Sequence, residues 1–238
     1  MPQADLLTDV ASSLEEGASN VHFCGRNKAD LDTASEALSK QYPSQTIKTA
    51  IVDMSKPSDI KSWVESMTSL DIVVSNVSAL SISNTPESWM STFEIDMQGV
   101  VTLVNAALPQ LEKNKGNVVT ISSVSGRDVD FTAVSPYGAF KAALIHYTAQ
   151  LAHTLAPKGV RANTISPGNI YIKDGVWGNI ERNMPDLFKD QFAKNPMGRM
   201  GKPEEVANAV VFIASEKAGF ISGANLNVDG SVCSGVQF

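Results

Sequence analysis

The chain has 238 residues, of which 43% are hydrophobic, and a formal net charge of −6. This length suits one sizeable domain, and the apolar content is enough for a core and argues against disorder. The sequence shows no basic stripe, and no apolar run reaches the roughly 20 residues that a membrane-spanning helix needs. We therefore expect neither a nucleic acid nor a membrane as a partner.

Strand-like and helix-like segments alternate along the chain. Apolar residues recur at helical spacing in some segments, and short apolar runs mark the others as buried strands. The predicted elements are a helix over 5–14, a strand over 21–24, a helix around 31–38, a strand over 46–52, a helix from 57, a strand over 71–74, a long helix over 86–108, a strand over 117–122, a helix over 135–155, a strand over 160–166, a helix over 203–214 and a strand over 224–228.

This alternation predicts an α/β fold with a doubly wound parallel sheet covered by helices on both faces. In such folds ligands bind beyond the carboxyl ends of the strands. Arg26, Asp53, Asn76, Ser123 and Gly168 each follow a predicted strand. We therefore expect these residues to lie at the binding edge of a single domain over residues 1–238.

The cellular setting follows from the cysteines and the N-terminus. Cys24 and Cys233 are the only cysteines, too few for a disulfide framework. A reducing compartment fits such a pair best. The first residues also lack the basic and apolar regions of a secretion signal. We expect a cytoplasmic protein, and the three histidines show no ligand spacing that predicts a metal site.

Tyr137 and Lys141 are four residues apart, which places them on one face of a predicted helix. An ammonium close to a phenol stabilises the phenolate, so this tyrosine can act as general acid or base on an alcohol oxygen. Ser123, after a strand, can hydrogen-bond the same oxygen. Chance produces the Tyr–Lys spacing often, and serines after strands often cap helices. Both motifs together, in a parallel α/β chain, favour a catalytic site.

Several stretches carry a resemblance to a known family. They are Gly25-Arg26-Asn27 and residues 71–76, 121–126, 137–141, 160–168, 198–206 and 221–224. Over nearly its whole length the chain resembles the short-chain dehydrogenase/reductase family. The resemblance implies a Rossmann-like fold and an oxidoreductase that interconverts a secondary alcohol and a carbonyl. It places Ser123, Tyr137 and Lys141 in the catalytic positions.

The resemblance also implies a nicotinamide cofactor, with NADP preferred and NAD possible. Arg26 matches a position where the family often holds the NADP 2′-phosphate, although it can also be a solvated arginine. Asp53 and Met54 match an adenine-contacting pair, although an aspartate after a strand is also a common helix cap.

Further cofactor positions follow the later strands. Asn76 and Val77 match the ribose-contacting stretch, where Ser78 replaces a glycine. Pro167, Gly168 and Ile170 match the loop that contacts the carboxamide, and Ile172 stands in place of a threonine.

Asp96 departs from the family pattern near the expected chemistry. The family usually has an asparagine there, which holds a water chain to the lysine. A carboxylate can still order water, so we include Asp96 among the catalytic candidates. It can also pair with Lys141 and weaken the effect of that lysine on Tyr137, or it can be an unrelated polar group on the long helix.

The glycine-rich turn and the first strand of the family are missing from this sequence. Asp5 and Leu7 stand where glycines are expected. We expect a segment before Met1 in the biological protein; the strands that flank the gap can instead pair with each other, or another chain can fill it. Two other functions stay open: a catalytically impaired binding or assembly protein that has lost the cofactor, and an enzyme that works without a cofactor.

The segment over 169–195 matches the substrate lid of the family. Its aromatic and methionine side chains suit a moderately apolar alcohol or ketone, although they can equally form a packed subdomain. By analogy we expect a homo-oligomer, a tetramer or dimer, with contacts on the two long helices. The candidate contact residues are Leu108, Leu111, Leu144, Tyr147 and Leu151.

Overall fold

A computed structural model describes residues 10–235 of the chain. After helical residues 10–15, the elements in chain order are β1 (Asn20–Gly25), α1 (Lys28–Gln41), β2 (Thr46–Ile51), α2 (Pro57–Glu65), β3 (Ile72–Ser75), α3 (Pro86–Thr92), a π-helical segment (Phe93–Gly99), α4 (Val100–Asn114), β4 (Asn117–Ile121), α5 (Pro136–Leu155), β5 (Arg161–Pro167), α6 (Val176–Asn183), α7 (Pro185–Ala193), α8 (Pro203–Ala214) and β6 (Asn225–Val228).

Every predicted strand is present within one or two residues of its expected bounds, and the α/β class is confirmed. All strand pairs are parallel, as alternating strands and helices require. The predicted helix over 5–14 is helical from residue 10, and its first residues lie outside the described part.

The described strands form two sheets. β1 pairs with β2 alone, and the other sheet has the order β3-β4-β5-β6. Within residues 10–235, β1 and β3 therefore do not pair with each other, which contradicts the alternative in which the strands beside the gap join. The predicted loss of the first strand and its glycine turn involves residues 1–9, which lie outside the described part, and it stays a prediction.

The described residues fall into two compact units. The first unit contains the residues up to Asp53, together with Asn169–Val211 and Gly230–Val232. Its β1–β2 pair packs with α1, and Asn27 caps that helix by accepting the Ala29 N–H at 3.0 Å. The buried apolar residues of this core are Val10, Leu14, Phe23, Leu31, Ala34 and Leu38.

The segment over 169–195 folds as α6 and α7, two short helices that the sequence did not predict. Phe188 is the centre of its packing, with ring centroids 6.2 Å from Tyr171, 6.4 Å from Trp177 and 6.0 Å from Phe192. Trp177 is only 8% exposed. These contacts are those of a packed subdomain, and a lid function for the segment stays a prediction.

The second unit contains residues 54–168, 212–229 and those from Cys233 onward. Its four-stranded sheet has the most buried strands, since all five residues of β4 are buried and five of the seven residues of β5 are buried. Three buried threonine hydroxyls form hydrogen bonds with one another in this core. Thr120 Oγ1 lies 2.8 Å from Thr148 Oγ1 and 3.1 Å from Thr164 Oγ1. A buried sheet of this kind fixes the positions of the loops that follow its strands.

The predicted long helix over 86–108 is not one regular α-helix. α3 ends at Thr92, the π-helical turn follows, and α4 then continues to Asn114, past Pro109. A π-helical insertion changes which side chains face the sheet, and such insertions are frequent at functional sites. None of the helices within residues 10–235 is long and apolar enough to cross a membrane.

Candidate active site

The loops after β3, β4 and β5 lie at one edge of the four-stranded sheet. The strands are parallel and paired in register, with Ser75 opposite Thr120 and Ile121 opposite Ile165. Asn76, Ser122 and Gly168 follow these strand ends directly. The sheet therefore brings together three of the predicted binding stretches, as the strand-end rule for open α/β sheets requires.

Two glycines allow the loop after β4 to lie against α5. A Cβ on Gly126 would stand 2.7 Å from the Lys141 carbonyl carbon, and one on Gly138 would stand 2.6 Å from the Ser125 carbonyl oxygen. Neither position has room for a side chain. Ser122 Oγ also donates to the Lys141 carbonyl at 2.8 Å. This close approach fixes the Ser123 loop against the helix that carries Tyr137 and Lys141.

Lys141 is buried, with 4% of its side chain exposed. Its ammonium donates to the Ile121 carbonyl at 3.0 Å, lies 3.5 Å from Asp96 Oδ1 and is 5.7 Å from the centre of the Tyr137 ring. Buried lysines are rare unless they are paired, and here a carboxylate and a carbonyl provide the pairing. The structure thus brings the predicted lysine, tyrosine and aspartate together.

Asp96 lies in the π-helical segment and is 1% exposed. Its Oδ1 accepts the Ser78 hydroxyl at 2.5 Å, and its Oδ2 accepts the Ala79 N–H at 2.7 Å. The Ser78 side chain therefore points to Asp96. Both residues differ from the family pattern, and they form a hydrogen bond with each other. Asp96 is not an isolated polar group on a long helix.

Ser123 is 8% exposed and begins a short 3₁₀ turn, Val124–Gly126. Its Oγ accepts the Ser125 N–H at 3.2 Å and donates to Ser125 Oγ at 3.3 Å. The capping role considered from the sequence is therefore real, and Ser123 also stands in the loop that packs on α5. Its contact with a substrate oxygen stays a prediction.

Sequence reasoning missed Asp130. Ser125 Oγ donates to Asp130 Oδ2 at 2.5 Å, and the Thr132 N–H and hydroxyl donate to Oδ1 at 2.9 Å and 2.7 Å. The Asp-x-Thr pattern signals a local turn of this kind. The Asp-x-Thr pattern does not predict the hydrogen bond between Asp130 and Ser125, because that bond depends on the conformation of the residues between them.

Ser135 was missed as well. It precedes α5 in the capping position, yet its hydroxyl makes no capping bond. The residue is 8% exposed, and its Oγ is a buried oxygen with no partner within residues 10–235. Serine at a helix start signals a cap in sequence, and Pro136 after it strengthens that signal. The unused hydroxyl lies only two residues before Tyr137.

The remaining cofactor candidates of the second unit are Met54, Asn76, Val77, Pro167 and Gly168. Met54 is buried, and its carbonyl would lie 2.6 Å from a Cβ on Gly99, so its backbone touches the segment that carries Asp96. Val77 is 38% exposed beyond β3. The Gly168 N–H donates to the Val228 carbonyl at 3.0 Å.

Arg26, Asp53 and Ile170 belong to the first unit. Arg26 is exposed directly after β1. Asp53 is not the cap of α2, because that position is occupied by Lys56. Ile170 pairs with Gly201 in an isolated parallel bridge.

Comparisons with known proteins agree with this geometry. A family model described as enoyl-(acyl carrier protein) reductase matches residues 8–232. Isoepoxydon dehydrogenase of Penicillium expansum is 38% identical over 96% of this chain and 90% of its own length. L-fucose dehydrogenase of Bos taurus is 34% identical over 93% of this chain and 82% of its own length.

A solved structure is similar over almost the whole chain. The NADPH-bound short-chain oxidoreductase of Pseudomonas aeruginosa PAO1, which contains an atypical catalytic center, aligns with a TM-score of 0.85 and 27% identity. The alignment covers 97% of this chain and 93% of that one. With the parallel α/β fold and the Ser123, Tyr137 and Lys141 arrangement, these matches show that the chain belongs to the short-chain dehydrogenase/reductase family of NAD(P)-dependent oxidoreductases.

Proposed function

We propose that Tyr137, Lys141 and Ser123 carry the interconversion of a secondary alcohol and a carbonyl in this chain. Tyr137 exchanges the proton of the substrate oxygen, and Ser123 binds that oxygen. Lys141 supports the charge on Tyr137. The observation that carries this proposal is the buried Lys141 ammonium, 5.7 Å from the Tyr137 ring and on the helix face that packs against the Ser123 loop.

The residues present fit a nicotinamide nucleotide. An ammonium has three N–H donors, and the described contacts of Lys141 use one for Ile121 and one for Asp96. The third can donate to a ribose hydroxyl. Arg26 is an exposed cation between β1 and α1, suited to a phosphate. When bound, the nucleotide donates or accepts the hydride.

Arg26 favours NADP(H) over NAD(H), because only the former carries a 2′-phosphate. The other nucleotide-contacting candidates are Asp53, Met54, Asn76, Val77, Pro167, Gly168 and Ile170. Fluorescence titration with NADPH and NADH tests this assignment. If neither nucleotide binds at millimolar concentration, the oxidoreductase proposal fails for this chain.

The proposed substrate is a small secondary alcohol or its ketone. The relatives named above act on a sugar and on isoepoxydon, as their names state. We would test L-fucose, xylitol, cyclohexanol and cyclohex-2-enol with NADP⁺ and NAD⁺, and record the reduced nucleotide by absorbance. A Tyr137→Phe variant is the blank for each alcohol.

A second candidate is an impaired member that serves as a binding or assembly protein. The favouring observation is the contact between Asp96 and Lys141, because a carboxylate at 3.5 Å competes with Tyr137 for the ammonium. This candidate predicts no turnover of any alcohol, even with bound nucleotide. The substrate panel therefore separates the two functions.

The proposed assembly is a homo-oligomer, a dimer or tetramer, formed through α4 and α5. Leu111 and Leu144 are wrong as contact residues, because they are 0% and 2% exposed within a single chain. Leu108, Tyr147 and Leu151 are partly exposed within a single chain and stay candidate contact residues. Sedimentation of wild type and of Leu151→Glu tests this.

The proposed compartment is the cytoplasm. Cys24 is buried, and burial raises the pKa of its thiol to about 12, which disfavours the reactive thiolate. Cys24 and Cys233 are both free, as a reducing compartment would leave them. Fractionation of the host cell followed by detection of the chain tests the location.

A further inference from the structure

The C-terminal tail, residues 229–235, begins directly against the loop that follows β5. Gly168 has no room for a side chain, because a Cβ there would stand 2.8 Å from the Cα of Asp229. The Gly168 N–H also donates to the Val228 carbonyl at 3.0 Å, which continues the pairing of β5 with β6. The start of the tail is therefore packed on the loop that we propose contacts the nucleotide carboxamide.

A sharp turn then reverses the direction of the tail. Gly230 and Ser231 have φ angles of 60° and 68°, in the left-handed region that tight turns use. After this turn the Cys233 N–H donates to Asp229 Oδ2 at 3.0 Å. The hydrogen bond closes the turn, so the position of Cys233 is set from Asp229.

The other end of the tail contacts the loop that follows β4. The Cys233 thiol lies within hydrogen-bonding distance of the Asp128 and Asp229 carboxylates. A Cβ on Gly235 would stand 3.9 Å from Asp128 Oδ1, so the backbone after Cys233 also lies beside this carboxylate. The Asp128 N–H donates to the Val124 carbonyl at 2.9 Å. Asp128 is therefore attached to the short turn at the start of the loop after β4.

The Cys233 thiol is suited to a structural hydrogen bond with a carboxylate. Burial, together with the hydrogen bonds and charges of Asp128 and Asp229, raises the pKa of this thiol to about 12. The thiol therefore keeps its hydrogen at neutral pH and can donate it. A thiol of this kind reacts slowly, because the thiolate is the reactive form.

We propose that the C-terminal tail links the loop after β4 to the loop after β5, and that Cys233 and Asp128 are positioning residues for the reaction proposed above, on which this inference rests. In that reaction Ser123 binds the alcohol oxygen, and the Gly168 loop holds the carboxamide on the nicotinamide ring. The tail sets the position of one loop relative to the other. Cys233 and Asp128 act through these loops.

The tail and α5 position the alcohol in different respects. The close packing at Gly126 and Gly138 places Ser123 relative to Tyr137, and so relative to the group that exchanges the proton. The tail places Ser123 relative to the ring that exchanges the hydride. Reacting atoms must approach to roughly 3–3.5 Å, and a misplacement of about 1 Å can reduce the rate roughly 100-fold. Losing the link should therefore reduce turnover more than binding.

The kinetic test compares wild type with Cys233→Ala, Cys233→Ser and Ser234→Ala, using the alcohol that the substrate panel identifies. Cys233→Ala removes the thiol but leaves Asp229 packed on Gly168, so kcat should fall roughly 10-fold while the KM for the nucleotide stays within about twofold. Cys233→Ser keeps a short donor and should restore most of kcat. Ser234→Ala changes an exposed residue of the same tail and is the matched control. Equal losses in Cys233→Ala and Cys233→Ser, or no loss in either, would overturn the inference.

A second test needs no turnover. Iodoacetamide is added near pH ~8.5, where an ordinary cysteine is about half ionised, and alkylation of each cysteine is followed by mass spectrometry. In Asp128→Asn the charge that disfavours the thiolate is lost and the tail is released, so Cys233 should react roughly 5-fold faster or more than in wild type. Cys24, which is buried, should keep its wild-type rate. An unchanged rate at Cys233, or equal acceleration of both cysteines, would overturn the inference. If wild type turns over no alcohol, the proposed function fails, and alkylation alone decides whether the tail makes this link.

Discussion

Asp96 Oδ1 lies 3.5 Å from Lys141 Nζ, with both side chains almost completely buried. Neither charge can be removed without exposing the other to an apolar surrounding, because a buried charge is tolerated only when it is paired. Ser78 and Ala79 also donate to the carboxylate, and the ammonium also donates to the Ile121 carbonyl. The pair is therefore a fixed part of the fold, and its ammonium lies 5.7 Å from the ring of the proposed acid–base tyrosine, Tyr137.

Replacing Asp96 with asparagine should destabilise the protein. The amide can still accept from Ser78, but Lys141 loses its counter-charge. We expect the free energy of unfolding to fall by roughly 3 kcal/mol, measured by urea denaturation. Ser78→Ala removes one hydrogen bond and leaves the ion pair, so its expected cost is smaller, about 1–2 kcal/mol. Equal costs for the two variants would contradict a dominant role for the charge pair.

Tyr137→Phe should remove turnover while leaving nucleotide binding within about twofold. The ring and its packing are retained, and only the hydroxyl that exchanges a hydrogen with the substrate is lost. Acid–base groups of this kind contribute roughly 10²–10⁴-fold to the rate. Tyr147→Phe removes a buried hydroxyl from the same helix and should keep its activity. A Tyr137→Phe enzyme with wild-type kcat would exclude Tyr137 from the chemistry.

Arg26→Glu should weaken NADPH binding and spare NADH binding. The exposed cation after β1 would be replaced by a charge that repels a 2′-phosphate. We expect the dissociation constant for NADPH to rise roughly 10-fold or more, in line with the loss of a charged hydrogen bond. Lys48→Glu makes the same charge change at an exposed position on β2. If Lys48→Glu weakened NADPH binding as much as Arg26→Glu, the loss would come from the change in net charge and not from a contact between Arg26 and the 2′-phosphate.

The stability of the first unit should depend on Glu205 between neutral and strongly acidic pH. The Arg199 guanidinium binds both Glu205 oxygens, at 2.8 Å and 2.6 Å, and with the Lys202 N–H it lowers the pKa of Glu205 from 4.5 to about 2. A lowered pKa adds stability above pH 4.5, and this contribution disappears as the pH falls toward 2.

Glu205→Gln should therefore be less stable than wild type at neutral pH, and the difference should vanish near pH 2. Because the carboxyl is exposed to solvent, the difference should stay below about 1 kcal/mol. Denaturation by urea at neutral and acidic pH measures it. A difference that persists or grows in acid would contradict the ion pair as its cause.

The sequence by itself determined the order and type of the main elements. In α1 the residues at helical spacing, Leu31, Ala34 and Leu38, are the buried ones. Apolar spacing carries this information because each element must bury one face. Tyr137 and Lys141 were likewise predictable as neighbours, because one helical turn joins residues four apart.

The same local signals failed where the chain has no single periodic face. The π-helical segment around Asp96 continues the apolar spacing of a long helix, so no pattern marks its wider turn. For the segment over 169–195 the sequence offered a lid or a packed subdomain and no helix bounds; the segment forms α6 and α7 around Phe188. Its short helices depend on aromatic packing between them more than on their own spacing.

The contacts that define the candidate site were decided by tertiary structure alone. Ser78 and Asp96 are 18 residues apart, and Lys141 bonds a carbonyl 20 residues away. Ser125 can donate to the Asp130 carboxylate because the loop after β4 folds back on itself. Gly126 and Gly138 allow this loop to lie close against α5. A sequence states which groups are available, but hydrogen bonds reach only about 3 Å. The fold therefore decides which of those groups meet.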